Sequence, residues 1–112
     1  MKIEELHNIK FYIGQCAEEN WLLLDNAMSK NNEFIWFHLN SFPSSYVIMY
    51  ATLLDISNND EYLMYGDELC KKNSKYKNFN NLKIIYAPIK KLTKGLTLGE
   101  VVVTGKKKTI KL

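Results

Sequence analysis

The chain has 112 residues, with 15 lysines and no arginine against 12 acids, for a formal net charge of +3. One domain is expected at this length, and 46% hydrophobic residues can build a core, which excludes a chain disordered by composition and an enzyme with separate cofactor and substrate domains. No apolar run approaches the roughly 20 residues that cross a bilayer, and Glu4 and Glu5 stand where a secretory leader needs basic and apolar segments, so a cytoplasmic protein without membrane contact is expected.

The charge is segregated. Residues 1–70 carry Lys2, Lys10 and Lys30 against eleven acids, whereas residues 71–112 carry twelve lysines against Glu100 alone. Such asymmetry points to nucleic acid or another polyanion. The missing arginines fit the codon bias of an AT-rich genome. They also mean that anion contacts use ammonium groups, which give affinity more readily than base-specific reading.

In chain order, Ile9–Gly14 is β-branched and aromatic and reads as a strand ended by glycine. Ala17–Lys30 reads as a helix, with Glu18 and Glu19 in a first turn where the dipole favours acids and with Leu22, Leu23 and Ala27 on an apolar stripe. Phe34–Leu39 and Tyr46–Ala51 read as strands joined through a turn at Pro43. A second helix is predicted to start at Asn58–Asp60 and run through Asn73, with Leu63, Gly66, Leu69 and Cys70 on one side. Leu82–Ile89 is a strand whose Pro88 marks an edge or exit. Glu100–Thr104 and Thr109–Leu112 complete the chain as a predicted hairpin around Gly105–Lys108. The order β-α-β-β-α-β-β-β gives an α+β single domain with a mixed, largely antiparallel sheet and two helices.

Side chains alternate along a strand. Ile35, Phe37 and Leu39, and likewise Val47 and Met49, form an apolar face expected under the helices. Phe34, Trp36 and His38, with Tyr46, Ile48 and Tyr50, form a second face with polar tips. Aromatic rings beside lysines are the usual chemistry for single-stranded nucleic acid, because bases stack on rings while cations follow the phosphates. The second face is therefore expected to be an aromatic surface beside a cleft, against the plainer reading of Trp36 and Tyr50 as second-layer core.

Several blocks then occur in a telling order: Gly14–Asn20, the tetrapeptide Ile35-Trp36-Phe37-His38, Pro43-Ser44-Ser45-Tyr46-Val47, Leu69–Lys77, Lys83–Pro88, Lys90–Gly95 and Gly99-Glu100-Val101. Together they resemble the NFACT-R domain, the RNA-binding module of ribosome-quality-control tailing factors and fibronectin-binding-protein-A-like proteins, which also occurs as short standalone proteins. The resemblance covers about residues 9–112. The chain departs from the family pattern at Gln15-Cys16, at Phe34 and at Tyr46, each time losing a polar or charged group. The resemblance implies the RNA-contacting module alone, without the parts that recruit aminoacyl-tRNA.

The expected function is thus nucleic-acid binding, with RNA (tRNA, rRNA or single-stranded segments) as partner, DNA as the alternative and a ribosome association within reach. The expected contacts are Asn20, Trp36, His38, Ser44, Ser45 and Tyr46, with Lys71, Lys72, Lys75 and Lys77 after the second helix and Lys90, Lys91 and Lys94 after the following strand. Each has a plainer reading: Asn20 as a loop brace, the serines as turn residues, the first lysines as compensation of a helix dipole, and Lys106–Lys108 as a solvated turn. No cofactor is expected, for the chain has no phosphate-cradling GxxxxGK[ST] loop, no HExxH and no CxxC. Two other classes are open: a protein-docking module anchored by Trp21 or Phe42, and an RNA-modifying enzyme with His38 as general acid or base.

Overall fold

Strand β3 (Ile35–Leu39) is apolar on both faces, so the sheet around it must be covered twice. The computed structural model describes residues 1–40, 42–105 and 108–112, and in it both coverings are present. The other main-sheet strands are β1 (Lys2–Leu6), β2 (Ile9–Ile13), β4 (Val47–Met49), β5 (Lys83–Pro88) and β8 (Lys108–Lys111). They form a six-stranded sheet in the order β1-β2-β4-β3-β5-β8 with every neighbour antiparallel. Helix α1 (Ala17–Lys30) lies on one face and α2 (Asp60–Lys72) on the other. A two-stranded ribbon of β6 (Leu92–Lys94) and β7 (Val101–Val103) lies on the α1 side. The chain is an α+β domain, and no helix among the described residues is long and apolar enough to cross a membrane.

The two helices have sequence causes. The α1 start has Glu18 and Glu19 in its first turn, and Leu23, Leu24 and Ala27 bury its inner stripe. The α2 start is capped by Asn59, whose side chain accepts from the Glu61 amide at 2.9 Å. Its inner face sets Leu63, Leu69 and Cys70 against Phe11, Phe37 and Met49. Gly66 sits on that face because a Cβ would run into the Phe37 ring, which is itself fully buried.

Three expectations change. Lys2–Leu6 is a strand, although its acids hide the signal, and it pairs with β2 through the two-residue turn His7-Asn8, both residues with positive φ (47° and 69°). The predicted hairpin of Glu100–Thr104 with Thr109–Leu112 does not form. Val101–Val103 pairs instead with Leu92–Lys94, and Lys108–Lys111 completes the open edge of β5, with Leu82 and Leu112 exchanging amide–carbonyl bonds at 2.8 Å. The reason is burial: Ile110 and Leu112 close one core, Val101 and Val103 the other. Lys106 and Lys107 lie outside the described residues, and Lys108 belongs to β8 rather than to a hairpin tip. Finally, the face of Trp36, Tyr46 and Ile48 is no open aromatic surface but a second core under α1, with Trp36 2% and Tyr46 1% exposed.

Asp67 is the anomaly of α2. It is fully buried, and neither carboxyl oxygen has a hydrogen-bond partner among the described residues. Burial first, and then the charge of Glu68, push its carboxyl up to about 8.

Two outcomes follow for stability. Gly66→Ala gains about 1 kcal/mol of helix propensity but forces a rigid ring aside, which costs about 1–3 kcal/mol. The net change in urea unfolding is expected to be destabilising, and a stabilised variant would show that α2 can shift freely. For Asp67, the unfolded chain ionises near 3.8 and the folded one near 8, so the unfolded state binds fewer protons between these values. This group therefore withdraws stability as pH rises through that window, by about 1.4 kcal/mol per unit; nothing is lost below the window, and above it the full cost persists. In Asp67→Asn that slope is expected to vanish; parallel stability–pH curves for both proteins would refute the assignment.

Candidate nucleic-acid interface

Hydrogen bonds tie the start of the first helix to the sheet at Tyr46. The Gly14 amide donates to the Tyr46 carbonyl at 3.0 Å, and the Asn20 side-chain oxygen accepts from the Tyr46 amide at 3.1 Å. Gly14 has to be glycine because a Cβ would overlap that oxygen. Asn20 is thus buried and acts as the loop brace. Tyr46 continues the chain of contacts: its hydroxyl donates to the Gly99 carbonyl. Burial holds the phenol well above its ordinary value.

Next to it, His38 lies parallel to Trp36, with ring centroids 5.3 Å apart and planes 9° apart, and Tyr46 stands edge-on to both. The Nδ1–H of His38 donates to the Leu39 carbonyl at 2.7 Å. This bond places the proton on Nδ1 and makes Nε2 the acceptor. Burial lowers the imidazole pKa, more than the local backbone contacts raise it, so the ring is neutral at physiological pH.

A groove of about 770 Å³ opens at this end of the sheet. Its walls come from four places: the lead-in to α1 (Gln15–Ala17), the loop holding Ser44 and Ser45, the segment just after α2 (Asn73–Tyr76), and the segment Thr97–Glu100. His38 and Asn40 lie at its base and also line a smaller cavity of about 320 Å³ reaching Trp36 and β7.

The Ser44 hydroxyl is committed within the fold. It accepts from the Leu39 amide at 3.1 Å and contacts the Ser45 carbonyl and the Cys70 sulfur. Burial pushes the Cys70 thiol up to about 12, so it is a poor nucleophile. The end of α2 is fixed by its own side chains: the Asn73 amide donates to the Leu69 carbonyl at 2.8 Å, and the Ser74 hydroxyl donates to the Lys71 carbonyl at 2.8 Å. Lys2 reaches the same corner and donates to Asn73 at 2.9 Å.

The expected contacts therefore divide. Asn20, His38, Ser44, Ser45 and Lys75 line the groove, and Lys71, Lys72 and Lys77 flank Lys75 in the chain, with Lys72 and Lys77 exposed. Trp36 and Tyr46 are core, so no base can stack on them. The second lysine group belongs elsewhere: Lys90 pairs with Glu33, and Lys94 pairs with Asp25 at 2.8 Å while lying 4.8 Å over the Trp21 ring. The Lys91 backbone holds Thr104, and Lys91 is half-buried. Trp21 is likewise no free anchor, because its indole N–H donates to the Glu100 carbonyl at 3.2 Å.

The sequence reading missed Tyr76 and Phe79, and it placed Phe42 only as a protein anchor. Phe42 and Tyr76 line the groove, their rings 4.4 Å apart, and Phe79 meets Tyr76 edge-on at 5.3 Å. The available signal was aromatic residues set alone in asparagine- and serine-rich loops, where no periodic element buries them.

No family model matches the chain, and no curated protein does. Among solved structures, the chain is similar to the C-terminal part of the fibronectin/fibrinogen-binding protein from Streptococcus suis, at 23% identity and a TM-score of 0.82. The match covers 98% of this chain and 43% of that one. The protein spans less than half of that neighbour's length and shares its fold.

Proposed function

We propose that the protein is a nucleic-acid-binding module that holds RNA, structured or single-stranded, along the groove at the end of α2. The NFACT-R resemblance of its sequence blocks would set that activity in translation or ribosome quality control. The observation that carries the reading is how the lysines sort. Lys71, Lys72, Lys75 and Lys77 are four cations clustered at one place with no ion-pair partner among the described residues, whereas in the second group Lys90 and Lys94 are paired and only Lys91 is not.

A helix C-terminus carries about half a negative charge. Four ammonium groups there exceed what dipole compensation needs and leave about three and a half charges for an outside polyanion. Phosphates are drawn to this wall rather than to the α1 start, where Glu18 and Glu19 already occupy the first turn. The Glu19 carboxylate accepts from the Gln15 amide at 3.0 Å, and that bond is the first cause of its lowered pKa.

A protein-docking reading has one observation in its favour, the name of the structural neighbour, a fibronectin/fibrinogen-binding protein. Retention on immobilised fibronectin or fibrinogen, unchanged by nuclease and by lysine substitution, would favour it.

Neutralising about four phosphates gives a salt slope near −0.7 × 4 on single strands, so affinity is expected to fall roughly 50-fold between 50 and 200 mM salt. Replacing Lys71, Lys72, Lys75 and Lys77 together by glutamine is expected to abolish binding with the circular dichroism spectrum unchanged. Lys90→Gln is expected to leave binding nearly intact, since its charge is already paired with Glu33. Salt-independent binding, or equal losses in both variants, would sink the proposal.

A further inference from the structure

Phe42 and Phe79 keep large ring surface in water, 38% and 53% exposed. Most exposed aromatics stand singly, but these two flank the half-buried Tyr76 in one contiguous set, with the Phe42 and Tyr76 planes 31° apart. The set is held by the backbone: the Tyr76 amide donates to the Ser74 hydroxyl at 3.1 Å, and the Phe79 amide to the Tyr76 carbonyl at 2.9 Å. Lys75 stands beside Tyr76 in the groove wall and Lys77 follows it in the chain. Residues 69–99 contain no acid at all.

We propose that Phe42 and Tyr76, with Phe79 behind them, form a stacking platform for an unpaired nucleobase whose phosphates lie on Lys75 and Lys77. This rests on the RNA-binding reading and assigns to the platform the stacking role that buried Trp36 and Tyr46 cannot fill. A ligand that uses both the rings and the cations must alternate flat aromatic groups with anions. An unpaired strand does so; a paired duplex hides its base faces, and an apolar peptide leaves the lysines without partners. Both exposed rings are phenylalanine and every nearby cation is lysine, so the platform accepts any base.

The test uses two labelled RNAs of about ten nucleotides, one bearing bases and one with abasic sites throughout, so that phosphate number is constant. Fluorescence anisotropy at low salt is expected to show the base-bearing strand bound about 10-fold more tightly. Phe42→Ala is expected to reduce that strand to the abasic level while leaving abasic affinity and the salt slope unchanged. Phe42→Leu keeps an apolar contact with Tyr76 and is expected to act alike, which separates lost stacking from lost folding. Equal affinity for the two strands overturns the platform and leaves the lysine reading standing. Binding of neither strand overturns both.

Discussion

Everything in this protein is arranged around a strand that cannot face water on either side. Ile35, Phe37 and Leu39 point to one face of the sheet and Trp36 to the other, and all four are buried. A sheet with one wet face would leave Trp36, Tyr46 and Ile48 exposed, roughly 2 kcal/mol for each large side chain. Two coverings are therefore required, and α1 and α2 take opposite sides. The groove forms at the end of the sheet, between the start of α1 and the end of α2.

That same constraint decides which aromatic residues are available to a ligand. Alternation along β3 and β4 divides their side chains into two sets, but alternation alone does not say whether the second set meets solvent or another layer. The missing information was the ribbon of β6 and β7, whose Leu92, Val101 and Val103 help α1 to close the second core. Leu92–Lys94 is too short to show periodicity, and the Val101–Val103 run gives no hint that its partner precedes it. Burial took Trp36 and Tyr46 from the surface, and the exposed rings came instead from two irregular segments.

The legible parts of the fold were those with local causes. Helix α1 has its acids at the start and its apolar spacing throughout, α2 has the Asn59 cap, and β3 is β-branched and aromatic. The pairing of β8 was not legible, because it depends on an edge of β5 that exists only once the sheet is assembled. Strand β1 was hidden by its charge: its edge position lets Lys2 and Glu5 stay in water while Leu6 packs inward. The site shows the same division. Asn20, His38 and Lys75 could be picked by residue type, but the lysines could be sorted into paired and free only through contacts such as Lys90–Glu33 that span half the chain.

The groove's polar groups are unequal, and this bears on what it can discriminate. Ser44 is committed to Leu39 and Ser45, Asn73 to Leu69 and Lys2, and His38 Nδ1 to Leu39. His38 Nε2 is a fixed acceptor on a ring that burial keeps neutral. Against these, the ammonium groups at the end of α2 are mobile point charges on long stems, which match many phosphate positions equally well. On the proposed RNA-binding reading, a site built this way would bind a polyanion by charge number and orient it by shape and ring contact. Base-edge recognition would rest on few directional groups, the His38 Nε2 among them.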